Sequence, residues 1–307
     1  MKRKVVMSGN KTLTVSLPID WAKKNGIKAG DDIDLIEKGQ EIIINASESQ
    51  KNIGEYLVKI PEEIEKDLSK YVNKLIISPY TRGYDQIKVL FKNKNILSSV
   101  SKTIDRFMLG SEIVEQGENY CIIKILVKGQ NEEITQVINR LYLLLITMLK
   151  DLQDILSKEK WDDLESIEQM DHSINKLHFF CRRMLNTKGY KDDSKTRTLY
   201  RLSCLIEEMS DYIVDIARIT RNYKKIDKNL INLLGDMEKL VSGHYSLYSK
   251  YDHQKVVDLK LKRNEIRDKI HNQISKPSKE DVIIIHLLLG ILDKIMHMNE
   301  DFVDNGY

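Results

Sequence analysis

Cysteine, proline and long apolar runs are all scarce in this sequence, and each scarcity removes a class of protein. Three cysteines (Cys121, Cys181 and Cys204) stand in 307 residues. Their number is odd and no CxxC pair occurs, so neither a disulfide framework nor a zinc ribbon is supported, and a reducing compartment is the expected setting. Four prolines leave room for long uninterrupted helices. The most apolar stretch, Val282 to Leu292, is broken by His286 and bounded by Asp281 and Asp293, far short of the ~20 apolar residues of a membrane span. The basic start MKRKVVMSGN has no apolar segment behind it and does not read as a signal peptide. The expected location is the cytoplasm, with no membrane insertion. A glycine-rich phosphate loop is also missing, so nucleotide hydrolysis has no support.

Net charge is small, +3, so any basic surface must come from uneven distribution. A 41% hydrophobic and 31% charged composition is that of a globular chain with heavily charged helix faces, and 307 residues suit two or three domains.

Residues 1–46 read as short strands. TLTVSLP alternates, Pro18 ends it, Asp20–Asn25 can form a short helix and Gly26 is placed to stop it. DDIDLIEKG and EIIIN read as a hairpin around Lys38-Gly39-Gln40. So small a unit cannot bury a core alone, which predicts a homodimer of intertwined hairpins. Residues 50–130 read as a βαβ-type connector, with strands at Leu75–Ser78 and Ile87–Phe91, a helix over Asn95–Met108 and a hairpin over Glu112–Val127. From Glu133 onward the pattern is helical, with breaks near 158–161, 188–194, 223–228, 250–252 and 276–278. About six helices in two antiparallel sets of three follow, over 133–223 and 226–307. The fold class expected is α+β multidomain.

Charge in the first module is segregated. Lys2, Arg3, Lys4, Lys11, Lys23, Lys24 and Lys28 face only Asp20 across the first thirty residues, and acids then dominate from Asp31 to Glu41. A dimer doubles the basic patch, and phosphate neutralisation gives DNA affinity its strength and salt dependence. Lysines serve the backbone better than base edges, and Arg3 is the one arginine here. The same pattern also suits a solvated face on a module that only dimerises.

Two acidic stripes mark the helices. Glu207, Asp211 and Asp215 recur at i, i+4, i+8, opposite the face of Leu202, Leu205, Met209, Ile213 and Ile216. Asp293, His297 and Asp301 repeat the spacing in the second set. Aligned carboxylates suit a bridging cation, with oxygen ligands favouring hard metals and histidine a transition metal. Solvated stripes are the other reading. A ferritin-like oxidase needs such groups inside the bundle, and these are expected to point outward, so the chain does not read as an enzyme.

The segment from Lys2 to Ala46 resembles the swapped-hairpin family that includes AbrB, SpoVT and MazE. The resemblance rests on Leu17-Pro18, Trp21 and the run Gly26-Ile27-Lys28-Ala29-Gly30-Asp31-Asp32. It implies an intertwined dimer that binds DNA through Lys2, Arg3, Lys4, Lys11, Lys23 and Lys24, with lysines where the family uses arginines and hence weak selectivity. The helical half resembles the PhoU family of phosphate-uptake regulators. The resemblance rests on LIEEMSDYIVDIA from Leu205, which is similar to that family's third-helix signature, and on Asp171-His172-Ser173-Ile174-Asn175-Lys176-Leu177. It implies a divalent or trivalent metal ion (Fe, Zn, Mn or Mg) held by Asp171, Glu207 and Asp211, with Asn175 and Asp215 flanking. The second set departs from the pattern: His297 replaces an aspartate, and Arg263 and Arg267 replace acids, leaving Asp293, His297 and Asp301 as weaker candidates. Together the parts resemble archaeal phosphate-uptake regulators.

Among single residues, Cys181, Cys204 and His286 are expected in the core, Trp21 and Trp161 as packing anchors, and His172 as a surface partner of Glu168. Two functions follow. One is a phosphate-responsive transcription regulator on DNA. The other is a protein-interaction regulator of a phosphate transporter or signalling kinase, in which the N-terminal module only dimerises.

Overall fold

The computed structural model describes residues 2–9, 11–38, 41–46, 54–61, 68–127, 129, 131–272 and 277–304. The chain divides into two compact units, Met1–Asn52 and Ile53–Tyr307.

In the first unit β1 (Val5–Ser8) and β2 (Thr12–Val15) pair antiparallel, with Val5 opposite Val15 and Met7 opposite Leu13. The helix α1 (Ile19–Lys24) follows, then the antiparallel pair β3 (Ile33–Lys38) and β4 (Glu41–Ala46). Pro18 caps α1, where a missing N–H breaks no helical bond. Gly26 follows at φ +71°, a region glycine enters freely. The tip residues Gly39 and Gln40, expected to turn the hairpin, lie outside the described residues. The unit has almost no interior: Ala22 is its one buried hydrophobic residue among those described, while Val5, Val6, Met7, Leu13, Leu35 and Ile42 are 59–66% exposed.

The second unit begins with an α/β layer. The strands β5 (Glu55–Lys59), β6 (Gln86–Leu90), β7 (Ser111–Gln116) and β8 (Tyr120–Ile125) form one sheet in the order β5-β6-β8-β7. β5 and β6 run parallel, which requires the crossover that α2 (Leu68–Thr81) supplies; the other pairs are antiparallel. α3 (Ile96–Phe107) links β6 to β7. Ile87 and Val89 on β6, and Cys121, Ile123 and Ile125 on β8, are buried at alternate positions and form one core with Val72, Ile76 and Tyr80 of α2 and Ile96 and Val100 of α3. Leu75–Ser78, expected as a strand, is helical. Its short apolar run resembles a buried strand, but Val72, Ile76 and Tyr80, all 0% exposed, set the i, i+4, i+8 period of a helix.

Six long helices follow: α4 (Asn131–Ser157), α5 (Glu165–Lys188), α6 (Thr196–Tyr223), α7 (Lys228–Ser249), α8 (His253–Asn272) and α9 (Lys279–Asp304). The sets α4–α6 and α7–α9 join where α4 packs on α7 and α6 on α9, so one continuous core runs through all six. No helix among the described residues is long and apolar enough to cross a membrane. Cys121 and Cys181 are buried and Cys204 half-buried. His286 is exposed, contrary to the core position its apolar neighbours suggest, because it falls on the open side of α9.

The histidines inside are His178 and His244. His244 stacks on Phe302 at 6.2 Å between centroids, its Nδ1 has no hydrogen-bond partner, and burial pushes its pKa down to about 3. The unfolded ring takes up a proton below its ordinary 6.5 while the folded ring resists until about 3, so this histidine removes stability as pH falls through 6.5. His244→Phe should therefore gain about 2 kcal/mol on the parent between roughly pH 8 and pH 5, read by urea unfolding at each pH. A gap that does not change with pH would show the ring to be protonated in the fold.

Candidate functional site

The basic residues of the first unit lie at its ends and turns. Lys2, Arg3 and Lys4 precede β1, Lys11 stands in the turn before β2, and Lys23 and Lys24 close α1. All six are exposed. None makes an ion pair among the described residues, so their charge is available to a partner. On the same small unit, the bared faces of β1 and β2 are apolar on Val5, Val6, Met7 and Leu13, an area that water disfavours and a partner surface would cover.

In the second unit the first acidic stripe meets α5 and the α/β layer. Asp171, Asn175, Phe179 and Arg183 recur every four residues and form one face of α5. Asp171 at the head of this face is 1% exposed because α3 and α6 close over it, whereas Asp211 and Asp215 of the stripe itself are exposed and Glu207 is half-buried. Ser210 of α6 donates its hydroxyl to Asp171 Oδ1 at 2.9 Å. Asn175 donates Nδ2 to Oδ2 at 2.9 Å, and Arg106 of α3 donates Nη2 to the same oxygen at 3.2 Å. Glu207, half-buried, has its pKa pushed up to about 7 by burial first, then by the charges of Asp211, Asp171 and Glu208. Asp211, more open to solvent, is pushed up to about 6 by burial and by Asp171 and Asp215, against Arg106 and Arg218. The crowding thus favours a cation or protons near these carboxylates.

Arg106 is the cation that the fold supplies. Both Asp171 oxygens are already engaged, and among the described residues no three His, Cys, Asp or Glu side chains gather as a metal-holding group. As placed, these residues do not form a metal centre. Asp215 is drawn off to Arg218 at 3.4 Å. The second stripe is drawn apart in the same way: Asp293 pairs with Arg263 at 3.0 Å, His297 with Glu300 at 3.2 Å, and Asp301 with Arg201 at 3.3 Å. The arginine in place of an acid at position 263 therefore neutralises Asp293 directly.

Lower on the same α5 face, Arg183 is the main tie to the α/β layer. It donates to the Tyr80 carbonyl at 2.7 Å and the Tyr84 carbonyl at 2.8 Å, and pairs with Asp85 at 2.7 Å. Burial pulls its pKa below the usual guanidinium value, with Tyr80 and Asp85 acting in the opposite sense. Asn186 donates to the Thr81 carbonyl at 2.9 Å, and Phe179 meets Phe107 edge-on at 5.6 Å. Arg106 and Arg183 were not legible as site residues, since their partners lie 65 and about 100 positions away. The one available signal was the four-residue spacing on α5.

Residues 6–52 match the family model described as antidote-toxin recognition MazE, bacterial antitoxin, and residues 138–220 match the PhoU domain model. No curated protein matches the chain. Among solved structures, the phosphate transport system regulatory protein PhoU from Streptococcus pneumoniae aligns over 58% of this chain and 96% of its own, at 16% identity and a TM-score of 0.46. The fold is thus α+β and multidomain, with a MazE-type module at the N-terminus and a PhoU domain in the helical half.

Proposed function

We propose that the chain is a phosphate-responsive regulator of phosphate uptake, not an enzyme, that acts as a homodimer on DNA. The N-terminal unit supplies both contacts: its bared apolar strand faces pair with a second copy, and its exposed lysines neutralise DNA phosphates. The helical unit is the sensing or docking part. Arg106 on the Asp171 cluster and Arg183 on Asp85 tie it to the α/β layer, so a change in the bundle can be passed to that layer. The observation that carries the DNA reading is six exposed, unpaired cations on a module too thin to fold around its own core. The link to phosphate rests on the PhoU domain match.

A protein-docking regulator is the second reading, favoured by the toxin-recognition description of the matching antitoxin family. Binding of the full chain to phosphate-transporter promoters, measured by fluorescence anisotropy against competitor DNA with and without phosphate, separates the two. Equal affinity for promoter and competitor under both conditions would remove the transcriptional reading.

A further inference from the structure

A cavity of about 280 Å³ lies where the end of α4 and the link between α6 and α7 come together, lined by Leu156, Trp161, Ile231, Lys224, Lys225 and Lys228. Leu156 and Ile231 are 1% and 8% exposed and give it an apolar floor. Trp161 is half-buried, packing against the bundle core while also lining the cavity. The three lysines are exposed and make no ion pair among the described residues, and Glu159 is the single acid among the lining residues. Three positive charges against one negative select an anion.

Glu159 at φ +54° and Lys224 at φ +50° are the two non-glycine residues with positive φ among the described residues, and both line it. Lys224 caps the C-terminus of α6 and Glu159 follows the end of α4, places where helices commonly close in this conformation.

We propose that this cavity binds a purine nucleoside monophosphate, the base stacked on Trp161 over the Leu156–Ile231 floor and the phosphate held by Lys224, Lys225 and Lys228. An inorganic phosphate alone would leave the indole and the floor wet, and an uncharged base would leave the lysines unused. The volume, about 280 Å³, falls just below the range of small-molecule pockets, about 300–1,000 Å³, which leaves no room for a dinucleotide. The phosphate contacts come from the three lysines in place of a glycine-rich loop. The proposal uses only the bundle and is independent of the DNA reading.

Calorimetric titration of the full chain with AMP, GMP, adenosine and inorganic phosphate tests it. At least one nucleotide should bind, with adenosine and phosphate each at least about tenfold weaker. Lys225→Glu with Lys228→Glu changes only exposed side chains and should weaken the nucleotide by about tenfold or more. Trp161→Phe keeps a ring and should bind within a few fold of the parent, whereas Trp161→Ala should lose about tenfold or more. The proposal is overturned if neither nucleotide binds at millimolar concentration, if phosphate binds as tightly as the nucleotide, or if the double lysine reversal leaves affinity unchanged.

Discussion

Reversing Lys11, Lys23 and Lys24 to glutamate in the full chain should lower its affinity for DNA by about a thousandfold or more at moderate salt. In a dimer the change replaces six cations. Six to ten phosphate contacts carry about 10³–10⁵ in affinity between 50 and 200 mM salt, and each contributes ~0.9 to the slope of log affinity on log salt. If all six touch phosphate, that slope should flatten by about 5. The fold should survive, because the side chains are exposed and unpaired among the described residues. Lys23 and Lys24 close α1, where an acid costs roughly 0.3–1 kcal/mol against the helix dipole. Sedimentation should report the same oligomeric state for variant and parent, a dimer under the proposed function, since the apolar strand faces are untouched. Affinity and salt slope measured by anisotropy decide the matter: if both are unchanged, the lysines do not face DNA, and the protein-docking reading takes its place.

Much of this fold was legible in the sequence, for a physical reason. Strands with one covered face announce themselves by alternation, as Ile87, Val89 and Cys121, Ile123, Ile125 do, and long amphipathic helices announce themselves by their period and breaks. The error at Leu75–Ser78 came from a run too short to show its period; the deciding residues, Val72 and Tyr80, lie on either side of it. The site was legible only in part. Spacing put Glu207 and Asp211 on one face and the PhoU resemblance pointed to Asp171 and Asn175, but no local pattern says which face of α6 meets which face of α5, or that an arginine from α3 arrives between them. Carboxylates are usually exposed, yet Asp171 is buried because Arg106, Asn175 and Ser210 satisfy it. The second stripe shows the same limit: its spacing matches the first, yet Arg263, Arg201 and Glu300 take its three members one by one.

The other large effect belongs to Arg183. Replacing it by methionine, which keeps much of the side-chain volume, should destabilise the second unit by about 3–5 kcal/mol, the range for breaking a buried ion pair from one side. A surface pair is worth no more than about 1 kcal/mol, so burial decides the magnitude, and Arg183 is 7% exposed at the side chain while Asp85 is 23% exposed. The loss comprises three donated bonds: to the Tyr80 and Tyr84 carbonyls and to Asp85. Because the tie joins α5 to the turn after α2, damage should concentrate in the α/β layer. Hydrogen exchange should then speed up in β5, β6 and α2 while the α4–α7 core keeps its protection. Arg183→Lys separates charge from geometry. A lysine restores one positive charge but cannot donate to two carbonyls and a carboxylate from a planar fork, so it should recover less than half of the lost stability. A lysine variant as stable as the parent would reduce this tie to simple charge pairing, and a methionine variant within about 1 kcal/mol of the parent would show that the layer is held by its apolar core alone.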